Sequence, residues 1–168
     1  MSIRPATDQD AAAICGLWNP VIAETEITFN SVPWSVPALR ALLADKAAAG
    51  HPFLVADPGG VAGFATYGPF RAGVGYARTM EHTIILAPGA RGRGVGRALM
   101  AGLEAHARAA GVLSLWAGIV AGNRDGIAFH AAIGFEPVAR LPEVGWKFDR
   151  CYDLVLMRKP LSPPGGCR

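Results

Sequence analysis

LAPGARGRGVGRALM, residues 86–100, sets four glycines and three arginines between an apolar run and a run with helical spacing. Two familiar phosphate loops fail against it. A P-loop requires G-x-x-x-x-G-K-[ST], but Gly89 leads to Gly94-Val95-Gly96 with no lysine. A dinucleotide loop requires G-x-G-x-x-G and an acidic residue about 20 positions later. Here Gly92, Gly94 and Gly96 run G-x-G-x-G, and that acidic residue is missing. What remains is a strand end running into a helix start. The first N–H groups of a helix lack intrahelical partners, and the macrodipole puts positive potential there. Glycines at 92, 94 and 96 let backbone approach an anion closely, and Arg91, Arg93 and Arg97 reinforce the nest. The expected ligand is a small pyrophosphate.

The bulk of the chain agrees. Its 168 residues suit one domain with one sizeable core, expected over 1–160 with a disordered tail at 161–168. At 51% apolar and 17% charged it reads as compact, without the charge excess of a disordered chain. The net charge of +3 is too dilute for a nucleic-acid stripe, so the local arginines point to a small phosphorylated ligand. Cys15, Cys151 and Cys167 are few and far apart, which argues against a disulfide framework or zinc site, and no metal is expected. MSIRPATDQD has no apolar signal core, and no uncharged apolar run reaches membrane length. A cytoplasmic protein without membrane contact is the expectation.

Outward from the loop, MEHTIILAP reads as a buried strand and GRGVGRALMAGLEAHARAAG as a helix closed by Gly111. VLSLWAGIV is a strand, and NRDGIAFHAAIG a short helix between Asn123 and Gly134. FEPVARL and FDRCYDLVLMRK supply two last strands. Upstream, SIRPA is extended. Thr7 or Asp8 caps a helix in which Ile14, Leu17, Trp18, Val21 and Ile22 share a face, and Asn19-Pro20 is expected to bend or interrupt it. TEITFNSVPWS is a loop, and Ser35 caps a second helix ending at Gly50. PFLVAD and VAGFATYG form a hairpin about Pro58-Gly59-Gly60, and RAGVGYART is a mobile glycine-rich connection. The order β-α-α-β-β-β-α-β-α-β-β gives a mixed α/β sheet with helices on both faces.

With these elements in place, R-G-R-G-V-G resembles the [RQ]-x-x-G-x-[GA] signature of the GNAT superfamily of N-acetyltransferases. NRDGIAFHAAIGF is similar to that family's N-x-x-A-x-x-x-[YH]-x-x-x-G-F block. Nearly the whole chain is covered. ITFN at 27–30, GPFRAGVGYARTMEH at 68–82, FHA at 129–131 and LPEVGWKFDRCYDL at 141–154 resemble the phosphinothricin/methionine sulfoximine N-acetyltransferase subfamily. The resemblance implies a mostly antiparallel GNAT sheet whose splayed strands hold acetyl-CoA, and a small amino acid acetylated on its α-amine. It also implies a homodimer, to which the Pro142–Tyr152 hairpin would contribute.

Acetyl transfer from a thioester to an amine needs a coenzyme grip, a base, an oxyanion donor and a home for the thiolate. The grip falls to Arg91, Gly92, Arg93, Gly94, Val95, Gly96 and Arg97. The resemblance implies that backbone of Ile84, Ile85 and Leu86 pairs with the pantetheine arm like an added strand. Glu81 opens an otherwise apolar strand, where a carboxylate is costly to bury, and the subfamily's catalytic glutamate matches it. His82 points to the opposite face by alternation and is the weaker base. Asn123 caps its helix and, by resemblance, contacts the pantetheine region. His130 occupies the position at which many GNAT enzymes carry a tyrosine that protonates the leaving thiolate; helix packing is its other reading.

For the substrate, Arg71 pairs with a carboxylate or phosphinate oxyanion. Phe29 and Asn30 form a wall and Val74, Gly75 and Tyr76 a flexible rim, with Lys147 and Arg150 adding charge nearby. Three positions depart from the subfamily pattern: Phe29 where tryptophan is frequent, Ala77 for a polar residue, and Cys151 for the tryptophan of F-G-R-W. An acetyltransferase of protein N-termini or lysines, and a non-catalytic acyl-coenzyme-A sensor, are the alternatives.

Overall fold

The computed structural model describes residues 2–161. Its elements are β1 (Ser2–Pro5), α1 (Ala11–Glu24), α2 (Val36–Ala48), β2 (Phe53–Asp57), β3 (Gly63–Pro69), β4 (Thr79–Leu86), α3 (Val95–Ala109), β5 (Ser114–Val120), α4 (Arg124–Ala132), β6 (Glu136–Lys147) and β7 (Arg150–Pro160). The seven strands form one sheet in the order β1-β2-β3-β4-β5-β7-β6. Every neighbouring pair is antiparallel except β4 and β5, which run parallel. The expected order of elements and mixed sheet match this architecture.

Alternation along the strands splits the core in two. On one face Phe53, Val55, Phe64 and Ile85 meet Ala11, Ile14, Leu39 and Leu43 from α1 and α2. On the other, Ala65, Tyr67, Leu115 and Met157 meet Leu99, Met100 and Leu103 of α3, with Ile127 and Phe129 of α4 alongside. Each fully buried leucine contributes about 1.5–3 kcal/mol relative to exposure.

Three local expectations change. Pro20 does not interrupt α1, which continues through it to Glu24; the residue one turn earlier, whose carbonyl the ring must pass, is Gly16. Helix α3 begins at Val95 rather than Gly92, because Gly92 and Gly94 adopt positive φ of 71° and 80°. Strand β6 reaches Lys147, and Phe148 and Asp149, at φ 50° and 56°, make the two-residue turn into β7. Of the expected tail, Leu161 is buried and donates its N–H to the Leu113 carbonyl at 2.9 Å. Residues 162–168 lie outside the described residues.

Candidate active site

The site originates where the parallel pair comes apart. Strands β4 and β5 pair at Thr79–Ser114, Met80–Leu115 and Glu81–Trp116, and the pairing ends there. Strand β4 stays paired to β3 as far as Leu86, and β5 to β7 as far as Val120. Beyond Glu81 the two strands therefore splay, leaving facing backbone edges without strand partners.

A cavity of about 310 Å³ occupies the crotch. Glu81 to Ile85 line it consecutively, as do Ala117, Gly118 and Ile119. Consecutive lining means the cavity enters edge-on between the strands, so both faces of β4 reach it. A second cavity of about 630 Å³ continues along Ile84 to Leu86 and over the glycine loop. Ile27, Ile84, Ile85, Asn123, Gly126 and His130 belong to both walls, making one continuous cleft.

The wider chamber has the features of an anion grip beside an apolar slot. Arg91, Gly92, Gly94, Gly96 and Arg97 line it, with Asp125 also on its wall. Gly96 has a packing role: a Cβ there would stand 3.1 Å from the Phe129 ring and 3.2 Å from Leu86. Val95 is buried in the core and Arg93 is exposed; neither lines the chamber. Asn123 accepts a hydrogen bond from the Gly126 N–H at 2.9 Å as the cap of α4, and lines both cavities. The cap of α4 thus stands on the cleft wall. The free edge of β4 and the glycine turn fit an extended arm ending in a pyrophosphate, the shape and charge of coenzyme A.

In the smaller cavity Glu81 is the acidic group. Burial pushes its carboxyl above the ordinary carboxylate range, and the nearby Arg71 charge pulls it partly back. A Cβ on Gly118 would stand 2.7 Å from its Oε1, so the bare Gly118 makes room for the carboxylate. A glycine inside the apolar run VLSLWAGIV was the available signal for that close approach.

His82 joins the site despite the alternation argument. Its Nδ1 donates to the Trp116 carbonyl at 2.9 Å, and its Nε2 lies 2.9 Å from Nε2 of His130. The Nδ1 of His130 donates to the Gly126 carbonyl at 2.6 Å. Carbonyls only accept, so both Nδ1 atoms carry hydrogen in the neutral pair and the two Nε2 lone pairs face each other. The pair thus has a seat for one further proton. Burial resists that charge, holding His82 at about 3 and His130 below the usual imidazole range. The facing lone pairs oppose this, and the result is a weak proton site on the wall shared by both chambers.

The substrate candidates separate. Phe29 lines the small cavity together with Ile27 and Thr28. Asn30 instead accepts from the Val32 N–H at 3.1 Å within its own turn. Arg71 lies over the Phe70 ring at 5.4 Å, near enough to Glu81 to act on it. Phe70 packs on Trp116 at 4.9 Å, and Tyr76 approaches Phe70 at 6.5 Å. Val74 is 97% exposed and, like Gly75, is not on the cavity wall. Lys147 is buried and its ammonium is engaged by the 25–28 backbone. Arg150 stacks on Tyr152 at 4.6 Å.

Residues 19–135 match the acetyltransferase (GNAT) family. An L-methionine sulfoximine/L-methionine sulfone acetyltransferase of Pseudomonas aeruginosa is 35% identical over 164 residues, covering 96% of this chain and 95% of that protein. A ribosomal-protein-alanine N-acetyltransferase from Brucella melitensis superposes with TM-score 0.92 at 38% identity, covering 95% and 99% of the two chains. A GNAT superfamily phosphinothricin acetyltransferase from Sinorhizobium meliloti, solved with acetyl-CoA, gives TM-score 0.88 at 28% identity over 98% and 94%.

Proposed function

The chain belongs to the GNAT acetyltransferase family, and on that premise we propose that it acetylates the α-amine of a small amino acid such as methionine sulfoximine, methionine sulfone or phosphinothricin. It is an N-acetyltransferase whose co-substrate is acetyl-CoA. One observation carries the substrate reading: Glu81 stands on the wall of a cavity of about 310 Å³ that is continuous with the coenzyme chamber and is also lined by Ile27, Thr28 and Phe29. That volume suits an amino acid.

The thioester supplies an activated acetyl carbonyl, and this chain's residues do the rest. Glu81 takes the proton from the incoming ammonium, directly or through a water. Arg71 neutralises the substrate's acidic group beside it. An unpaired N–H on the edge of β4, in the Ile84–Leu86 stretch, donates to the carbonyl oxygen as charge develops there. The seat between the two Nε2 atoms takes the second proton from the nitrogen once it has attacked, and His130, on the wall common to both chambers, passes that proton to the departing sulfur.

Incubating the purified protein with acetyl-CoA and an amine panel, and following free thiol, tests the reading. Release is expected with methionine sulfoximine, methionine sulfone or phosphinothricin. The Brucella relative's name makes a peptide beginning with alanine the essential competitor. Release with that peptide alone would overturn the small-substrate reading in favour of protein acetylation. Coenzyme binding with no release from any amine would favour a sensor.

The proposed enzyme works in the cytoplasm as a homodimer. The cytoplasm supplies acetyl-CoA and keeps thiols such as Cys15 and Cys151 reduced. Among the described residues no helix is long and apolar enough to cross a membrane. Strand β6 forms an edge of the sheet, and it exposes Val138 and Val144 at 55% and Trp146 at 62%. An apolar edge of this kind calls for a partner. Sedimentation at micromolar concentration is expected to give twice the chain mass, and a monomer would refute the dimer.

A further inference from the structure

The roof of the amine cavity is a loop with little structure of its own. Between α1 and α2, residues 25–35 turn on local contacts such as Thr25 Oγ1 donating to the Val21 carbonyl at 2.7 Å. At its far end Asn19 clamps Trp34, donating to its carbonyl at 2.9 Å and accepting from its N–H at 2.8 Å. What seats the near end, which bears the cavity-lining Ile27, Thr28 and Phe29, comes from a distant part of the chain. The ammonium of Lys147, a residue only 3% exposed, donates to the carbonyls of Thr25 at 2.6 Å and Thr28 at 2.8 Å. A buried ammonium is costly without partners, and here those partners are two carbonyls of the roof. Two residues earlier, Gly145 takes the Phe29 ring directly against its α-carbon; a Cβ there would overlap three ring atoms. Across the hairpin from Gly145 is Tyr152, whose ring centre is 6.0 Å from that of Phe29. The end of the β6–β7 hairpin thus holds the roof by one cation and one missing side chain.

We propose that Lys147 and Gly145, neither of which lines the amine cavity, are positioning residues that set its size by seating Phe29, and thereby decide how large an amine the enzyme accepts. The inference rests on the small-amine reading above for its substrate scale, and on the loop contacts alone for its mechanism. Gly145→Val pushes the Phe29 ring off its seat. Lys147→Met removes the two hydrogen bonds while keeping an apolar stem in the buried slot. Lys147→Met frees the roof and opens the cavity on the Phe29 side, whereas Gly145→Val, pressing on the ring from outside the cavity, drives it inward and narrows the space.

The test has two readouts. The first is the ratio of kcat/KM for phenylalanine to that for methionine sulfone. Lys147→Met should raise it about tenfold or more, within the range by which pocket size alone discriminates, and Gly145→Val should lower it, while KM for acetyl-CoA stays unchanged in both. Phe29→Ala should raise the ratio as Lys147→Met does, and with the ring gone Gly145→Val should change little. A fold defect would lower all activities together without moving the ratio; that result, or full additivity with Phe29→Ala, overturns the proposal. The second readout is amide hydrogen exchange across 25–30, which needs no substrate. Faster exchange in Lys147→Met supports the seating mechanism, and unchanged exchange overturns it. Should wild-type protein turn over no small amine at all, the small-amine reading falls, while the exchange result still decides the role of Lys147.

Discussion

Glu81→Gln lowers kcat by about 10²- to 10⁴-fold, the span expected when a positioned general base is lost, and leaves KM for acetyl-CoA unchanged. The substitution preserves shape, which matters because Gly118 leaves the carboxylate no spare room. It removes only the capacity to accept a proton. Since Glu81 lines the smaller cavity and not the coenzyme chamber, coenzyme affinity should not respond. The pH profile gives the same assignment by a different route. A base works only when deprotonated, so kcat/KM falls as pH drops through the Glu81 pKa. Burial raises that pKa above the ordinary carboxylate range and Arg71 lowers it. In Arg71→Ala the opposing charge is gone, so the acid limb moves to higher pH while KM for the amino acid rises. A Glu81→Gln enzyme within threefold of wild type would remove Glu81 from the mechanism.

Much of this was legible in the residues, for reasons that vary by position. The element order follows from hydrophobic period and from Gly/Pro punctuation, both local properties. The glycine loop was readable because alternate glycines before a helix have few other uses, although Gly96 proved to be spaced for packing on Phe129. Alternation, which sends neighbours to opposite faces, makes His82 only the weaker base. That rule presumes an intact sheet, and the splay beyond Glu81–Trp116 exposes both faces to one cavity. In sequence Lys147 reads as a charge near the substrate. Its true partners are carbonyls more than a hundred residues earlier, which no local pattern encodes. Asn30, Arg71, Val74, Gly75 and Tyr76 fall in the matching segments yet lie off the cavity wall, which Phe29 alone of the substrate candidates lines, because a segment's resemblance does not fix which of its side chains turn inward.

His82→Phe and His130→Phe should each lower kcat about 10- to 100-fold, the lower part of the general acid–base range. The double variant should be scarcely worse than either single one. The reason is the proton count. Both Nδ1 hydrogens are committed to the Trp116 and Gly126 carbonyls, so the only exchangeable seat lies between the two Nε2 atoms. Removing either ring destroys the shared seat and leaves a single buried Nε2 without its partner, and groups acting as a unit lose their function once. A second consequence concerns stability. Because burial holds His82 at about 3, the unfolded chain binds more protons than the folded one below about pH 6.5. Stability therefore declines as pH falls from that value toward 3, by up to about 1.4 kcal/mol per pH unit for one such group. The buried Glu81, whose pKa is raised, works in the opposite direction, so the slope of wild type alone is not diagnostic. Comparison with His82→Phe isolates the histidine: the variant's melting temperature should fall less steeply between pH 6 and pH 4. Multiplicative losses in the double variant, together with an unchanged slope, would mean two independent side chains rather than one proton-holding pair. Non-additivity with a flattened slope would place the proton for the leaving sulfur between the two rings, with His82 acting through His130.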